Sequence, residues 1–373
     1  MQANPKVLVY GASGYTGKLV AESLAKRDIP FYATGRSAER LQQEMAIVKD
    51  RFGGDFAHEI VAVDNSLESL KVLFDKVDVV INTVGPFMQL GWPVIEAACQ
   101  SGCHYLDTTG EQDWSLAIKE KFGADFAAKG LLMAPATAWM CAAGALAAEV
   151  CLEDPNVDSL DIVYMTENGL PSEASTKSFL RIVCNNQAQY YLDQNEYKNW
   201  KNDMIYHVTV PLSNRIHNAH PWGGFLEPLW YKDDERVRTC KCLMAIGDEI
   251  VTTAVGVVQK FNEEVGHLGF EEREAFTNAM AEQIDSGEPP KDHPDVQRSM
   301  ISCNARGRGG ARSFVLHLAA PYTWTGEICA ESAARLLAGK LIRPGFQSVA
   351  RAFDHRELLK VWHAQGLCSY PED

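Results

Sequence analysis

The sequence predicts an α/β protein: an N-terminal doubly wound parallel sheet with an inserted α+β unit built on a largely antiparallel sheet. Three observations predict it. Residues 6–10 (KVLVY) are a short apolar run, residues 11–17 (GASGYTG) a glycine-rich turn, and residues 18–25 (KLVAESLA) place Leu19, Val20 and Leu24 at helical spacing. Strand and helix signals then alternate to about residue 135, the order that gives a parallel sheet. From about Leu152 the pattern changes to short alternating runs between turn residues. The chain of 373 residues divides on this reading into three parts. Residues 1–150 form a Rossmann-like nucleotide unit, 151–321 an α+β substrate and dimerisation unit, and 322–373 helices that return to the first unit.

Within the glycine turn, Gly11 permits a tight bend, Gly14 lets the backbone approach a pyrophosphate, and Gly17 lets helix and strand pack closely. Ser13, Tyr15 and Thr16 lie between them, where amides at a helix start bind an anion. Residues 30–34 (PFYAT) are the second strand. An NAD site wants a carboxylate just beyond it, to accept from the ribose hydroxyls. Arg36 stands there instead, and a guanidinium suits a 2′-phosphate, so the expected cofactor is NADP(H). The plainer alternative makes Arg36 a surface residue opening the helix over 38–49.

Residues 59–63 (EIVAV) read as the third strand, ending at Asp64, which either contacts adenine or caps the helix beginning near Ser66. Residues 77–83 (VDVVINT) are the fourth. Asn82, Thr83, Gly85 and Pro86 close it, where the main chain would run along the cofactor toward the nicotinamide. A helix over 93–101, a fifth strand opening HYLDTTGE at 104–111, a helix over 119–129 and a sixth strand over 131–135 complete the alternation.

The middle of the chain reads as a strand over 159–166, a helix over 172–187, a strand over 204–210 and an aromatic loop over 217–230. Two strands over 237–245 and 249–261 are expected to turn at Gly247-Asp248. A helix over 270–286, a proline-rich linker over 287–295 and strands over 299–305 and 313–319 follow, then helices near 326–337 and 355–364.

Composition narrows the function. A net charge of −14 argues against a nucleic-acid surface and an anionic membrane surface. The ten cysteines show no C-x-x-C pair, and reduced, buried thiols in a cytoplasmic protein are expected. The longest uncharged run, residues 130–148, holds Pro135 and reads as strand, turn and helix rather than an integral membrane span. The segment MQANPKVLVYG has no charged-then-apolar signal pattern. Nucleophile-elbow and phosphate-loop motifs are absent from the sequence.

Reduction at a nicotinamide needs a proton donor that reaches the crevice. Tyr105, Tyr322 and His220 are the candidates carried forward, from a set that includes Glu111, Tyr190, Tyr191 and His217. Each also has a structural reading, a core tyrosine above all. His217 and His220 stand three apart, but the following Pro-Trp-Gly-Gly breaks a helix and no third ligand is near, so no metal site is expected. Trp222, Phe225, Leu226, Leu229, Trp230 and Tyr231 line a pocket for a small hydrophobic substrate, or else pack the core or a homodimer interface.

Residues 11–17, Gly35-Arg36-Ser37, the stretch 82–87 and HYLDTTGE together resemble the saccharopine dehydrogenase-like oxidoreductases, closest to their trans-acting enoyl reductase branch. The resemblance spans about residues 5–150 and resumes over 322–353. It departs after the sixth strand, where the branch carries a Cys-Gly-Phe-Asp-type turn and this sequence reads PATAWM at 135–140. It implies NADPH-dependent reduction of a C=C bond in a bulky lipid-, terpenoid-, steroid- or polyketide-like enone or enoyl compound. Two alternatives stand beside it. One is a saccharopine dehydrogenase-type reductase of an amino-acid imine, with Arg181, Arg215, Arg306, Arg308 and Arg312 as possible carboxylate holders. The other is a non-catalytic NADP-binding scaffold or sensor.

Overall fold

The computed structural model describes residues 5–371 except 168, 170, 186–188, 212, 285–287, 292, 294 and 295. In chain order the first part comprises β1 (Val7–Tyr10), α1 (Tyr15–Ala25), β2 (Phe31–Gly35), α2 (Ala38–Phe52), β3 (His58–Ala62), α3 (Leu67–Phe74) and β4 (Val79–Asn82). It continues through α4 (Phe87–Leu90), α5 (Trp92–Ser101), β5 (His104–Asp107), α6 (Gln112–Ala128), β6 (Leu132–Ala134) and α7 (Trp139–Cys151). The middle holds β7 (Ser159–Glu167), α8 (Glu173–Cys184), β8 (Tyr190–Asp193), β9 (Glu196–Asn199), β10 (Tyr206–Val208), β11 (His217–Ala219), α9 (Glu227–Tyr231) and β12 (Thr239–Ala245). Then come α10 (Asp248–Glu264), α11 (Phe270–Glu282), β13 (Arg298–Arg306), β14 (Ala311–Leu318), α12 (Pro321–Leu337), β15 (Gly345–Phe346), α13 (Val349–Ala352), α14 (His355–Ala364) and β16 (Cys368–Ser369).

Two compact units result. The first comprises Met1–Thr109, Trp114–Ala142 and Tyr322–Asp354. Its sheet has the order β15-β6-β5-β4-β1-β2-β3 and is parallel throughout the described pairs. Leu8, Val80 and Tyr105 lie in register across β1, β4 and β5. They cluster with Leu70, Ile95 and Trp114 from α3, α5 and α6, all fully buried. Burial of each such side chain is worth about 1.5–3 kcal/mol, which holds the helices on the sheet. α12 packs on α1 so closely that a Cβ on Gly326 would lie 2.7 Å from Leu19 O. Arg27 Nη1, in the turn after α1, meets Glu327 Oε2 on α12 at 2.6 Å, and Ser23 Oγ of α1 donates to Glu327 Oε1 at 2.9 Å.

The second unit comprises Gly110–Asp113, Ala143–Pro321 and His355–Asp373. Its sheet runs β16-β14-β13-β7-β12-β8-β9. It is mixed: among the described residues β7 and β12 pair parallel, and the other neighbours antiparallel. Residues 355–373 lie with this unit rather than the first, because β16 pairs with β14 and carries α14 with it. β10 and β11 form a separate two-stranded ladder, placing a strand inside the stretch read as aromatic loop.

Residues 249–261 are the clearest correction. They form a helix, not the second arm of a hairpin. The segment is rich in β-branched residues, but Val251, Ala254, Val255, Val258 and Phe261 recur at helical spacing and are the buried ones. Burial of that stripe outweighs strand propensity. The hairpin of this region is β8–β9, whose two-residue turn holds Gln194 and Asn195 at φ of 50° and 64°. α8 ends at Cys184, and α11 at Glu282. The expected last residues of these helices, Gln187 and Ser286, lie outside the described residues, as do 287, 292, 294 and 295 of the linker.

Candidate functional site

In a doubly wound sheet the ligand crevice opens outside the carboxyl ends of the strands where the order reverses. Here β1 has β2 on one side and β4 on the other, so the crevice lies beyond Tyr10 and Asn82. The glycine turn leaves β1 there. Gly11 N and Ala12 N donate to Thr34 O at 2.9 and 3.1 Å, and Gly14 N donates to Gly11 O at 2.9 Å. Gly11 has φ +89°, and a Cβ on it would stand 2.6 Å from Val84 Cγ2. A Cβ on Gly17 would stand 2.1 Å from Gly11 O. Gly14 is different: its Cβ would meet only Gly11 O, at 3.4 Å, so its smallness serves the surface above the turn. Gly14 also caps α1 without a side-chain hydrogen bond. The first-turn amides have no acceptor within the helix and lie at its positive end.

Ser13 and Thr16 are half-buried, whereas Tyr15 is buried with its ring edge-on to that of Tyr322 at 5.0 Å. Arg36 follows β2 directly, exposed and with no hydrogen-bond or ion-pair partner among the described residues. Its charge reaches the Tyr10 hydroxyl, where burial raises the phenol above its ordinary value and Arg36 partly offsets that. Asp64 is exposed and accepts from Ser66 Oγ at 2.6 Å and Ser66 N at 3.0 Å, which holds its carboxyl below the usual range. The cap of α3 is Ser66 itself, which accepts from Ser69 N.

Beyond β4 the chain turns through a cis Gly85–Pro86 bond. Thr83 Oγ1 lies 3.0 Å from Tyr10 O and 3.2 Å from Gly11 O, tying this turn to the glycine turn. Asn82 is fully buried: its Oδ1 accepts from Val84 N at 3.0 Å and its Nδ2 donates to Tyr105 Oη at 3.2 Å. Both ends of the Asn82 side chain are therefore bonded within the protein.

Tyr105 and His220, two of the proton-donor candidates, have their polar atoms bonded within the protein. Tyr105 is fully buried and its hydroxyl donates to Asp107 Oδ2 at 3.0 Å. Burial and the Asp107 charge push that phenol well above its ordinary value, the reverse of what a proton donor needs. His220 lies in the second unit, buried. Its Nε2 donates to Asn202 O at 2.7 Å and its Nδ1 accepts from Trp222 N at 3.0 Å. Those two bonds fix a neutral imidazole, and burial lowers its pKa. Tyr322 is half-buried beside Tyr15, at the glycine turn.

Most of the aromatic segment 217–231 is buried within the second unit. Phe225, Leu226, Leu229 and Tyr231 are fully buried, Phe225 stacks on Tyr164 at 4.9 Å, and Trp222 stacks on Phe179 at 4.6 Å. Three of the arginines considered as carboxylate holders are already paired: Arg181 with Asp113, Arg306 with Asp161 and Arg312 with Glu153. All ten cysteines are buried. No helix among the described residues is long and apolar enough to cross a membrane.

The residue that sequence reasoning passed over is Asp107. It is fully buried and accepts from Tyr105 Oη, Trp114 Nε1, Thr109 N and Ala136 N, all within 3.1 Å. Burial raises its carboxyl pKa while those four donors work to lower it. A carboxylate ending an apolar strand was the available signal in HYLDTTGE.

Comparison with known proteins divides the chain by sequence order. Residues 7–128 match the saccharopine dehydrogenase NADP binding domain, and residues 142–372 match a family of unknown function, DUF5938. A lipid droplet localized protein of Caenorhabditis elegans is 32% identical over 139 residues, 36% of this chain and 33% of that protein. A trans-acting enoyl reductase of Mycobacterium leprae is 36% identical over 110 residues, 28% of this chain and 25% of that protein. A human saccharopine dehydrogenase-like oxidoreductase is 31% identical over 138 residues, 34% of this chain and 32% of that protein. The matches thus span a third or less of the relatives' length. The apo saccharopine dehydrogenase (L-Glu forming) of Saccharomyces cerevisiae shares the fold, with a TM-score of 0.60 at 11% identity over 98% of this chain and 99% of that one. The chain therefore belongs, through residues 142–372, to the DUF5938 family of unknown function and carries before it the NADP-binding domain of the saccharopine dehydrogenases.

Proposed function

We propose that this protein is an NADP(H)-dependent oxidoreductase whose cofactor lies across the crevice beyond β1 and β4. One observation carries the reading: the turn at Gly11 and Gly17 has no space for a Cβ, while Arg36 stands unpartnered at the end of β2. The residues present fit the cofactor. Gly14 leaves the turn low over the uncapped start of α1, which suits a pyrophosphate. Backbone at Ser13, Tyr15 and Thr16 would bind it. Arg36 would take the 2′-phosphate and Asp64 the adenine edge, while Thr83, Gly85 and Pro86 would border the nicotinamide half. When bound, the cofactor supplies a hydride to an electrophilic carbon. Tyr322, beside Tyr15, would supply the matching proton.

Within this reading the substrate is an enone or enoyl compound with a bulky apolar body. Support comes from the relative named trans-acting enoyl reductase. A second reading, reduction of an amino-acid imine, draws on the shared fold of the yeast dehydrogenase, but the pairing of Arg181, Arg306 and Arg312 removes three of its carboxylate holders.

Titration of the protein with NADPH and NADH by fluorescence tests the first step. NADPH should bind more tightly, and Arg36→Ala should weaken it about tenfold or more while changing NADH little. Equal loss for both would remove Arg36 from the site, and binding of neither would end the oxidoreductase reading. Hydrophobic enones and amino-acid imines, compared by NADPH absorbance, then separate the two substrate classes. Turnover of neither by a protein that binds NADPH favours a scaffold or sensor.

A further inference from the structure

Behind the crevice of the first unit runs one continuous line of buried hydrogen bonds. Val84 N donates to Asn82 Oδ1, Asn82 Nδ2 to Tyr105 Oη, and Tyr105 Oη to Asp107 Oδ2, at 3.0, 3.2 and 3.0 Å. Asp107 ends the line and spreads it: Oδ2 also takes Trp114 Nε1 at 3.0 Å, and Oδ1 takes Thr109 N at 3.1 Å and Ala136 N at 3.0 Å. Asn82, Tyr105, Asp107 and Trp114 are 0% exposed. The line therefore reaches the turns that follow β4, β5 and β6, three strand ends bordering the same crevice.

Two features mark these contacts as more than core packing. No ion pair joins Asp107 to a cation among the described residues, so its charge is held by oriented dipoles alone. Such a group is costly to bury, and each bond it accepts is charge-assisted. Ala136, one of its donors, has φ +52°, a left-handed backbone that a non-glycine residue keeps only when its surroundings hold it. Asp107 supplies two restraints there, its side chain to Ala136 N and its carbonyl oxygen to Thr137 N at 2.7 Å.

We infer that the Asn82–Tyr105–Asp107 line is a positioning device that sets the turns after β4, β5 and β6 together, fixing the nicotinamide half of NADP(H) and leaving the adenosine half to the glycine turn and Arg36. This rests on the NADP(H) reading above. The geometry divides the two halves. The line attaches to Val84, Thr109 and Ala136, all beyond β4, β5 and β6, whereas Arg36 and Asp64 follow β2 and β3. Tyr105 acts through Asn82 and Asp107 and touches no reacting atom.

Tyr105→Phe in the full chain is the informative variant, since it removes one oxygen and breaks the line between Asn82 and Asp107. Calorimetry would measure two probes, NADPH and adenosine 2′,5′-bisphosphate, which carries the adenosine half with its 2′-phosphate and no nicotinamide. The expected result is NADPH weakened about tenfold, with the bisphosphate within about twofold of its original affinity. Trp114→Phe, which removes a single donor to Asp107, should give the same split at smaller size and guards against a fold-wide effect of the first change. Equal weakening of both probes, or no weakening of either, overturns the inference while the NADP(H) reading stands. An unsubstituted protein that binds neither probe overturns both.

Discussion

Arg181 and Asp113 meet end to end in the second unit, Nη1 on Oδ1 at 2.8 Å and Nη2 on Oδ2 at 2.7 Å. Glu111 Oε2 lies 3.5 Å from Nη1, and its Oε1 accepts from Ser178 Oγ at 2.7 Å. Side chains of Arg181 and Glu111 are 1% and 0% exposed, so one guanidinium holds two carboxylates out of water. Removing it takes that shared cation away from both. Arg181→Met should cost about 3–5 kcal/mol, because breaking a buried ion pair by deleting one partner is strongly destabilising. Denaturant unfolding checks this. Adding Asp113→Asn to Arg181→Met should recover part of the loss, and strictly additive losses would mean that the two residues do not act as a pair.

Gly17 and Gly14 should respond oppositely to the same added methyl group. On Gly17 it would sit 2.1 Å from Gly11 O, a backbone atom, so Gly17→Ala must push α1 off β1. A loss of about 1–3 kcal/mol is expected, read as a lower melting temperature. On Gly14 the methyl meets Gly11 O at 3.4 Å, an ordinary contact at the edge of tightness. Gly14→Ala should therefore melt within a few degrees of the original and weaken NADPH. A Gly14→Ala protein with unchanged NADPH affinity would mean that the cofactor does not pass over the turn.

Much of the first unit was legible because each signal there is local. The strand, glycine turn and helix of residues 6–25 are consecutive, and the apolar runs of β2 and β4 are short and bounded by turn residues. Residues 249–261 were misread because Val, Thr and Ile favour strands, and the burial that selects the helix comes from other segments such as Phe179 and Val183. The β8–β9 hairpin was missed since its turn is Gln-Asn rather than Asn-Gly. For the proposed cofactor crevice, Gly11, Gly17 and Arg36 could be named from spacing. Tyr105 and His220 could not be assessed that way, because their usefulness depends on whether Asp107, Asn82, Asn202 and Trp222 take up their polar atoms. Asn82 is distant in sequence, and Asn202 and Trp222 are reached through backbone atoms, which a motif does not describe.

Glu153 gives the protein an acid-sensitive point in the second unit. Arg356 grips it with Nε and Nη2 at 2.7 Å each, His355 Nε2 lies at 2.8 Å and Arg312 Nη1 at 3.3 Å. The Arg356 hydrogen bonds are the largest cause of a carboxyl pKa lowered from 4.5 to about 2, with burial opposing and His355 assisting. A carboxylate whose pKa is depressed on folding stabilises the fold fully above its unfolded value and loses that contribution as pH falls through the folded one. The window is therefore about pH 4.5 down to about 2. The side chain is 31% exposed, so the effect is a modest share of total stability and shrinks in high salt. Glu153→Gln should lower the melting temperature at pH 6 and approach the original protein at pH 2, where the native carboxyl is itself becoming protonated. Thermal melts of both proteins across that range decide it. A constant gap between the two curves from pH 6 to pH 2 would place the acid sensitivity elsewhere, since a neutral amide cannot track the protonation of a carboxylate.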